Sequence, residues 1–259
     1  MPPFKLGLRP KQIPLKCPIL SNYLDRAIAW PVVKPRGWEY MVPPDKWGMM
    51  LNDQWGDCAE AMAGHFVIST SYNTGHPLAP TDQQVSDFYT AVAGFDPNAG
   101  PPGNNPTDQG TVLSQMLTVW QNDGFPVTDL ATGKIVIHKI LGFAACDVTS
   151  WAQIRWVTDT FGATLKGINC PENFQANTNN WTYDPNSPIE GGHAILQDSQ
   201  GGAGDKNISW GLVIPTTLEA ELNLMTEAWA VVTESWLNSL GTSPSGLNLD
   251  GLLAALKQV

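Results

Sequence analysis

The stretch Leu51-Asn52-Asp53-Gln54-Trp55-Gly56-Asp57-Cys58-Ala59-Glu60-Ala61-Met62-Ala63 decides how the rest of the chain is read. A turn-forming run gives way at Asp57 to Ala, Glu and Met, which favour helix. A helix is therefore expected from Asp57 to about Ser71. Cys58 falls in its first turn, where unpaired amides and the positive end of the helix dipole favour a thiolate. The ordinary fate of a free cysteine is that of a small buried hydrophobe. The Gly56-Asp57 turn argues instead for a thiol held at the mouth of the helix.

Thiol catalysis of acyl transfer needs a base, an oriented imidazole and donors for an oxyanion. His193, in Gly191-Gly192-His193-Ala194-Ile195-Leu196, lies 135 positions after Cys58. The glycines allow close backbone approach, and Ala-Ile-Leu ties the histidine to a strand. The other histidines fit less well. His65 lies two turns down the Cys58 helix and reads as a packing residue, His76 is in a loop, and His138 reads as a sheet-face residue. For the oxyanion, the Cys58 amide supplies one donor, and Asn52 or Gln54 could supply a side-chain amide. Asn52, six places before the thiol, is the better placed, although Asn also suits a turn for its own sake. Asp108-Gln109-Gly110 reads as a helix cap. No phosphate-binding loop, HExxH or GxSxG motif is present.

With 259 residues, 42% of them hydrophobic, and eleven Trp, the chain can bury a large core. Only 15% are charged, and 24 Gly with 21 Pro imply many turns. A net charge of −10 argues against nucleic acid or an anionic membrane as partner, because phosphates require clustered Lys and Arg. The first ten residues lack the apolar run of an export signal, and no stretch approaches the ~20 apolar residues of a membrane helix. A cytoplasmic or virion-associated location is the expectation. Cys17, Cys58, Cys146 and Cys170 form no CxxC pair, so neither a metal site nor a cofactor is expected.

Residues 1–46 read as an extended proline-punctuated arm, either propeptide-like or simply wrapped on the body through Trp30, Trp38 and Trp47. Residues 47–240 read as one domain, with a helical lobe over about 47–133 and a sheet lobe over about 134–240. Residues 241–259 form a linker and an amphipathic helix from Leu249 to Lys257. Helices are expected from Thr81, with Gln84 completing a capping box, to Ala93, and from Thr111 to Asn122 before Gly124. Ser150 should cap another through Phe161, and Leu218 to Met225 a short one. Strands are expected at Ile135–Ile140, Thr164–Ile168, His193–Gln197, Asn207–Ile214 and Ala228–Val232. Helices first and strands later indicate an α+β protein.

The stretches Asn52-x-x-x-Gly56-x-Cys58, Gly192-His193-Ala194 and Ile208-Ser209-Trp210-Gly211 together resemble the papain-like cysteine peptidases. The first resembles that family's Q-x-x-x-G-x-C, the second its small-residue-His-Ala strand, and the third its Asn-Ser-Trp-Gly element. The resemblance covers residues 47 to 237, rests on these three motifs, and looks toward a bacterial and phage branch of the fold. It implies a helical lobe carrying the Cys helix packed on an antiparallel sheet lobe carrying the His. It also implies Asn52 in the oxyanion hole and Trp210, with Gln54, at the binding cleft. Ile208 stands where the family's imidazole-orienting Asn belongs. Asn207, one place off, is the expected substitute, with Asp198 and Ser209 as weaker ones.

The activity implied is hydrolysis of amide bonds in a peptide or protein substrate, by Cys58 as nucleophile and His193 as base. Two other readings stand beside it. One is a papain-fold module without catalysis that serves binding, self-assembly or virion assembly. The other is a cell-wall endopeptidase with an Asp-Cys helix start, disfavoured by the long Cys-to-His separation.

Overall fold

The computed structural model describes residues 4–12, 36–201, 204–251 and 253. Cys17, Trp30 and most of the expected C-terminal helix lie outside them.

The Cys58 stretch does start a helix, α1 (Cys58–Thr74), and every residue from Cys58 to Ser71 is buried. A helix enclosed on all sides belongs at the centre of a domain. Its small residues make that possible: Gly64 lets Met50 and Pro80 approach closer than a Cβ would allow. Its polar groups are partnered inside, Ser69 Oγ donating to Asp198 Oδ1 at 2.8 Å and Thr70 Oγ1 to the Phe66 carbonyl at 2.9 Å. Gly75, at φ 80°, closes the helix in the left-handed region.

Around α1 pack α2 (Asp82–Ala93) and α3 (Leu113–Asn122). The Thr81–Gln84 capping box forms with both hydrogen bonds, a device contributing about 1 kcal/mol. Leu113, Met116, Leu117 and Trp120 are the buried apolar face of α3. Phe66, Phe88, Trp120 and Phe125 meet edge-on or stacked between these helices. A small sheet of β2 (Leu78–Ala79), β3 (Phe125–Asp129) and β4 (Ile135–His138) completes this side.

The main sheet joins β5 (Ile140–Ala145), β6 (Thr164–Pro171), β7 (Ile189–Gln200), β8 (Gly204–Ser209), β9 (Leu212–Thr217) and β10 (Met225–Thr233). Their order is β5-β10-β6-β7-β8-β9, every pair is antiparallel, and β1 (Arg36–Gly37) adds to the end of β7. One core lies between the sheet and α1–α3. A second lies under α4 (Trp151–Phe161), which Ser150 caps. A third gathers Ile168, Phe174, Trp181 and Trp210 beside α5 (Glu172–Ala176) and α6 (Leu218–Leu224). The α+β architecture, a central Cys helix on an antiparallel sheet, is the one expected.

Two strands differ from expectation. Ile135–Ile140 is not one strand: Lys139 divides it between the small sheet and the main one. Asn207–Ile214 is a hairpin turning at Trp210 and Gly211, whose φ of 51° and 72° are those of a two-residue type I′ turn. Trp is an unusual occupant of that turn, so the apolar pattern ran through it unbroken.

Candidate active site

Cys58 occupies the first position of α1 and is almost wholly enclosed. The backbone N–H groups of Ala194, on β7, and of Gly7 hydrogen-bond toward its sulfur. Both favour a thiolate, yet burial outweighs them and pushes the thiol up to about 12, with Glu60 and Asp57 adding repulsion. The expectation that the helix terminus alone would yield a thiolate is therefore corrected. Where water is excluded, desolvation exceeds the dipole.

Beside Ala194 stands His193, fully buried and pushed down to about 3, first by burial and then by His65. Its Nε2 lies 2.7 Å from Ser209 Oγ, while Nδ1 is buried without a hydrogen-bond partner among the described residues. Trp210 stacks on the ring at 4.6 Å and 22° between planes. The orienting partner of the imidazole is thus Ser209, and Asn207 is not: Asn207 Nδ2 donates to Glu221 Oε1 at 2.7 Å and Thr216 Oγ1 at 2.8 Å. Register accounts for this: Asn207 pairs with Gln197, four residues along β7 from His193, whereas Ser209, on the same face of β8, sits two positions nearer. Asp198, the other substitute, accepts from Ser69 instead.

Residues 4–12 cross the mouth of α1. Leu8 N–H donates to the Gly192 carbonyl at 3.1 Å on the sheet side. On the helical side, Arg9 N–H donates to the Thr111 carbonyl at 2.8 Å and Thr111 N–H to the Gly7 carbonyl at 2.7 Å. Leu8 thereby runs antiparallel to Gly192 and parallel to Thr111. Gly7 packs backbone to backbone on Gly56 and Gly110, leaving no room for a Cβ. Lys5 N–H donates to the Asn52 carbonyl at 3.3 Å, and Phe4 stacks on Trp210 at 4.3 Å. The N-terminal segment thus lies extended between the two walls and fills the space between them. A cavity of about 290 Å³ adjoins Leu8, bounded by Arg9, Lys11, Asn169 and Glu227.

The fold was compared with known structures. Xylellain, a cysteine protease from Xylella fastidiosa, superposes with a TM-score of 0.63 at 12% identity, over 89% of this chain and 96% of that one. The fold is papain-like. Digestive procathepsin L2 from Tenebrio molitor larval midgut gives a TM-score of 0.60 at 14% identity, over 88% and 78% of the two chains. The Carica candamarcensis cysteine protease CMS1MS2, in complex with E-64, gives 0.53 at 12%, over 78% and 99%. At such identities the likeness is one of fold. No protein-family model and no curated protein matches the sequence.

Within this papain-like frame Asn52 does not play the part its position implied. Its Nδ2 donates to Asp57 Oδ1 at 3.1 Å and to the Trp55 carbonyl at 3.3 Å. Both hydrogens are therefore committed to bracing the helix start rather than offered to the cleft. Asp57 ends as the acceptor of that brace and does not cap α1. The loop reaching Asn52 holds Met50 and Leu51 at φ 57° and 65°. Non-glycine residues pay ~1–2 kcal/mol each in that region, so surrounding contacts hold this turn in place. Gln54 is exposed on the same turn, and Trp210 is covered by Phe4.

Of the remaining histidines, His76 is exposed in a loop, and His65 and His138 are buried and hydrogen-bonded. His65 Nε2 donates to the Gly48 carbonyl at 3.1 Å. His138 is buried rather than on an open sheet face. Its Nδ1 accepts from Trp120 Nε1 at 3.1 Å, so the proton is on Nε2, which serves Ser235 and Thr233, each at 3.0 Å. A donor cannot act as base toward Ser235, which removes that Ser–His pair as a rival site. Among the described residues no group of His, Cys, Asp and Glu could hold a metal ion, and no helix is long and apolar enough to cross a membrane.

Proposed function

We propose that this chain is a latent thiol peptidase whose own N-terminal segment occupies the peptide groove. The observation that carries the reading is that segment. An extended backbone is hydrogen-bonded to both walls, and its Gly7 amide meets the helix-terminal thiol, whose other backbone neighbour, Ala194, follows the Ser209-held His193 in sequence. Main-chain recognition of an extended strand is how a peptide of varied sequence is held for cleavage.

With the groove vacated, Cys58 and His193 return toward water and their ordinary proton affinities. His193 Nδ1 then takes the thiol proton, and the sulfur attacks a carbonyl carbon. The Cys58 amide, unpaired in the first helical turn, steadies the oxyanion. The protonated imidazole gives its proton to the departing amine, leaving an acyl-enzyme. Water, deprotonated by His193, releases the acid and regenerates the thiol. Ser209 keeps the ring in one orientation and Trp210 shields it from solvent.

The test uses the full chain carrying Gly7→Val, whose added side chain collides with Gly56 and displaces the segment. Hydrolysis of a fluorogenic peptide library should appear in this variant and vanish when Cys58→Ala is added. A displaced segment with a reactive Cys58 and no hydrolysis would refute the peptidase reading.

A further inference from the structure

Under the thiol lies a group of acids that catalysis by Cys58 and His193 does not use. Asp57 and Glu60 stand one helical turn apart and are fully enclosed. Asp57 Oδ1 accepts from Asn52, and Glu60 Oε1 accepts from Thr111 Oγ1 at 2.8 Å. The second oxygen of each, Asp57 Oδ2 and Glu60 Oε2, is buried without a partner among the described residues. Asp108, half-buried alongside, accepts from Gly56 N–H at 2.8 Å and Tyr89 Oη at 3.0 Å, and Tyr89 in turn accepts from Gly110 N–H.

The residues that satisfy these acids are the same ones that seat residues 4–9. Asn52 braces Asp57 with its side chain and receives Lys5 N–H on its carbonyl. Thr111 donates its hydroxyl to Glu60 while its backbone pairs with Gly7 and Arg9. Gly56 and Gly110, which serve Asp108 and Tyr89, form the floor on which Gly7 lies. A change in the acids thereby reaches the segment through Asn52, Thr111, Gly56 and Gly110 at once.

We propose that seating of the N-terminal segment is coupled to protons held on Asp57 and Glu60: the segment docks while the pair is neutral and leaves as the pair ionises. Among the described residues no cation is an influence on the pair. Facing it are Cys58 on α1, Tyr89 from α2 and Asp108 from the loop before α3. His193 stands beyond the thiol on β7, and the segment carries Lys5 and Arg9. None of the positive groups is among the influences on either carboxyl. Burial holds Glu60 up at about 8, and burial with Glu60's repulsion holds Asp57 well above the usual range. A carboxyl whose proton affinity is raised in the closed state binds its proton more tightly there than when open to water. Docking is therefore strongest at low pH and weakens as pH rises toward about 8. Each proton released on opening weakens docking about tenfold per pH unit.

The inference takes the blocking segment from the reading above but not its chemistry, and its readout is docking rather than turnover. An inert protein would leave it standing. In the full chain, hydrogen exchange at the amides of Lys5, Leu8 and Arg9 is followed from about pH 6 to about pH 9, corrected for intrinsic base catalysis. Protection should fall with pH in the native sequence. In Glu60→Gln, which keeps an acceptor for Thr111, the slope should drop by one proton, about tenfold per pH unit. Asp57→Asn should lower it likewise. Protection that does not vary with pH in the native protein overturns the proposal even if the variants fail to fold. So does an undiminished slope in folded variants.

Discussion

Replacing Gly7 by Val tests whether burial, and not some intrinsic property, silences Cys58. A Cβ at Gly7 would fall inside the Gly56 carbonyl, backbone against backbone, so the segment must lift. The thiol stands at about 12 against an ordinary 9.0, because water is excluded. Returning it to the ordinary value multiplies the thiolate fraction at neutral pH about 10³-fold. A less basic thiolate is also a weaker nucleophile, with a Brønsted slope near 0.45, which removes about 20-fold. The net expectation is an alkylation rate by iodoacetamide roughly 50-fold above the native protein, before any gain in access. Peptide mapping by mass spectrometry reads each cysteine separately. Cys146, buried in the core under α4 and also at about 12, is the comparison: the charge of Lys11 in the segment lowers it, so lifting the segment gives it no help and it should stay slow. Alkylation of Cys58 in Gly7→Val no faster than that of Cys146 would refute the argument.

Three further outcomes follow from the same contacts. Ser209→Ala removes the 2.7 Å partner of His193 Nε2 and should lower kcat/KM of the opened enzyme about tenfold, the equivalent of one hydrogen bond of ~1.5 kcal/mol, with Cys58 labelling retained. Unchanged kcat/KM would show the ring needs no holder. Phe4→Ala gives up a 4.3 Å stack on Trp210, and segment docking measured by exchange should weaken by ~0.5–1.5 kcal/mol beyond the lost area. Equal protection in the variant would mean the stack is incidental. Lys166→Met leaves the carboxylate of Glu221, 2.5 Å from Lys166 Nζ and wholly buried, without its cation. Denaturant unfolding should show a loss of ~3–5 kcal/mol. A loss under ~1 kcal/mol would count against a buried ion pair there.

Much of the architecture was legible because it rests on local chemistry. The Thr81–Gln84 box, the apolar face of α3 and the Ser150 cap each announce themselves within four residues. Regions whose structure depends on distant partners were not. The strand at Phe125–Asp129 exists because β2 and β4 flank it, and its own sequence carries a proline. The turn at Trp210-Gly211 was hidden because a tryptophan does not advertise a positive φ. In the site, motif spacing pointed to Cys58 and His193, and the structure sets the sulfur against the residue next to that histidine. The orienting group could not be counted out from the family pattern, since the hairpin register and not the motif brings Ser209 to the ring. Asn52 sits where spacing put it, but the neighbouring carboxyl group of Asp57 claims its amide. The acids at Asp57 and Glu60 had a signal in plain view, an i, i+3 pair at the start of a helix buried from Cys58 to Ser71. What was missing was knowledge that, among the described residues, no lysine or arginine influences them.

One detail of the segment bears on its lifetime. What Gly7 turns toward the sulfur is an amide hydrogen, and its carbonyl oxygen is drawn aside to Thr111. A nucleophile facing a proton has no electrophilic carbon to attack. The covering strand can thus sit against a potentially reactive atom indefinitely without being severed, and a molecule opened once can be shut again by the same piece of chain.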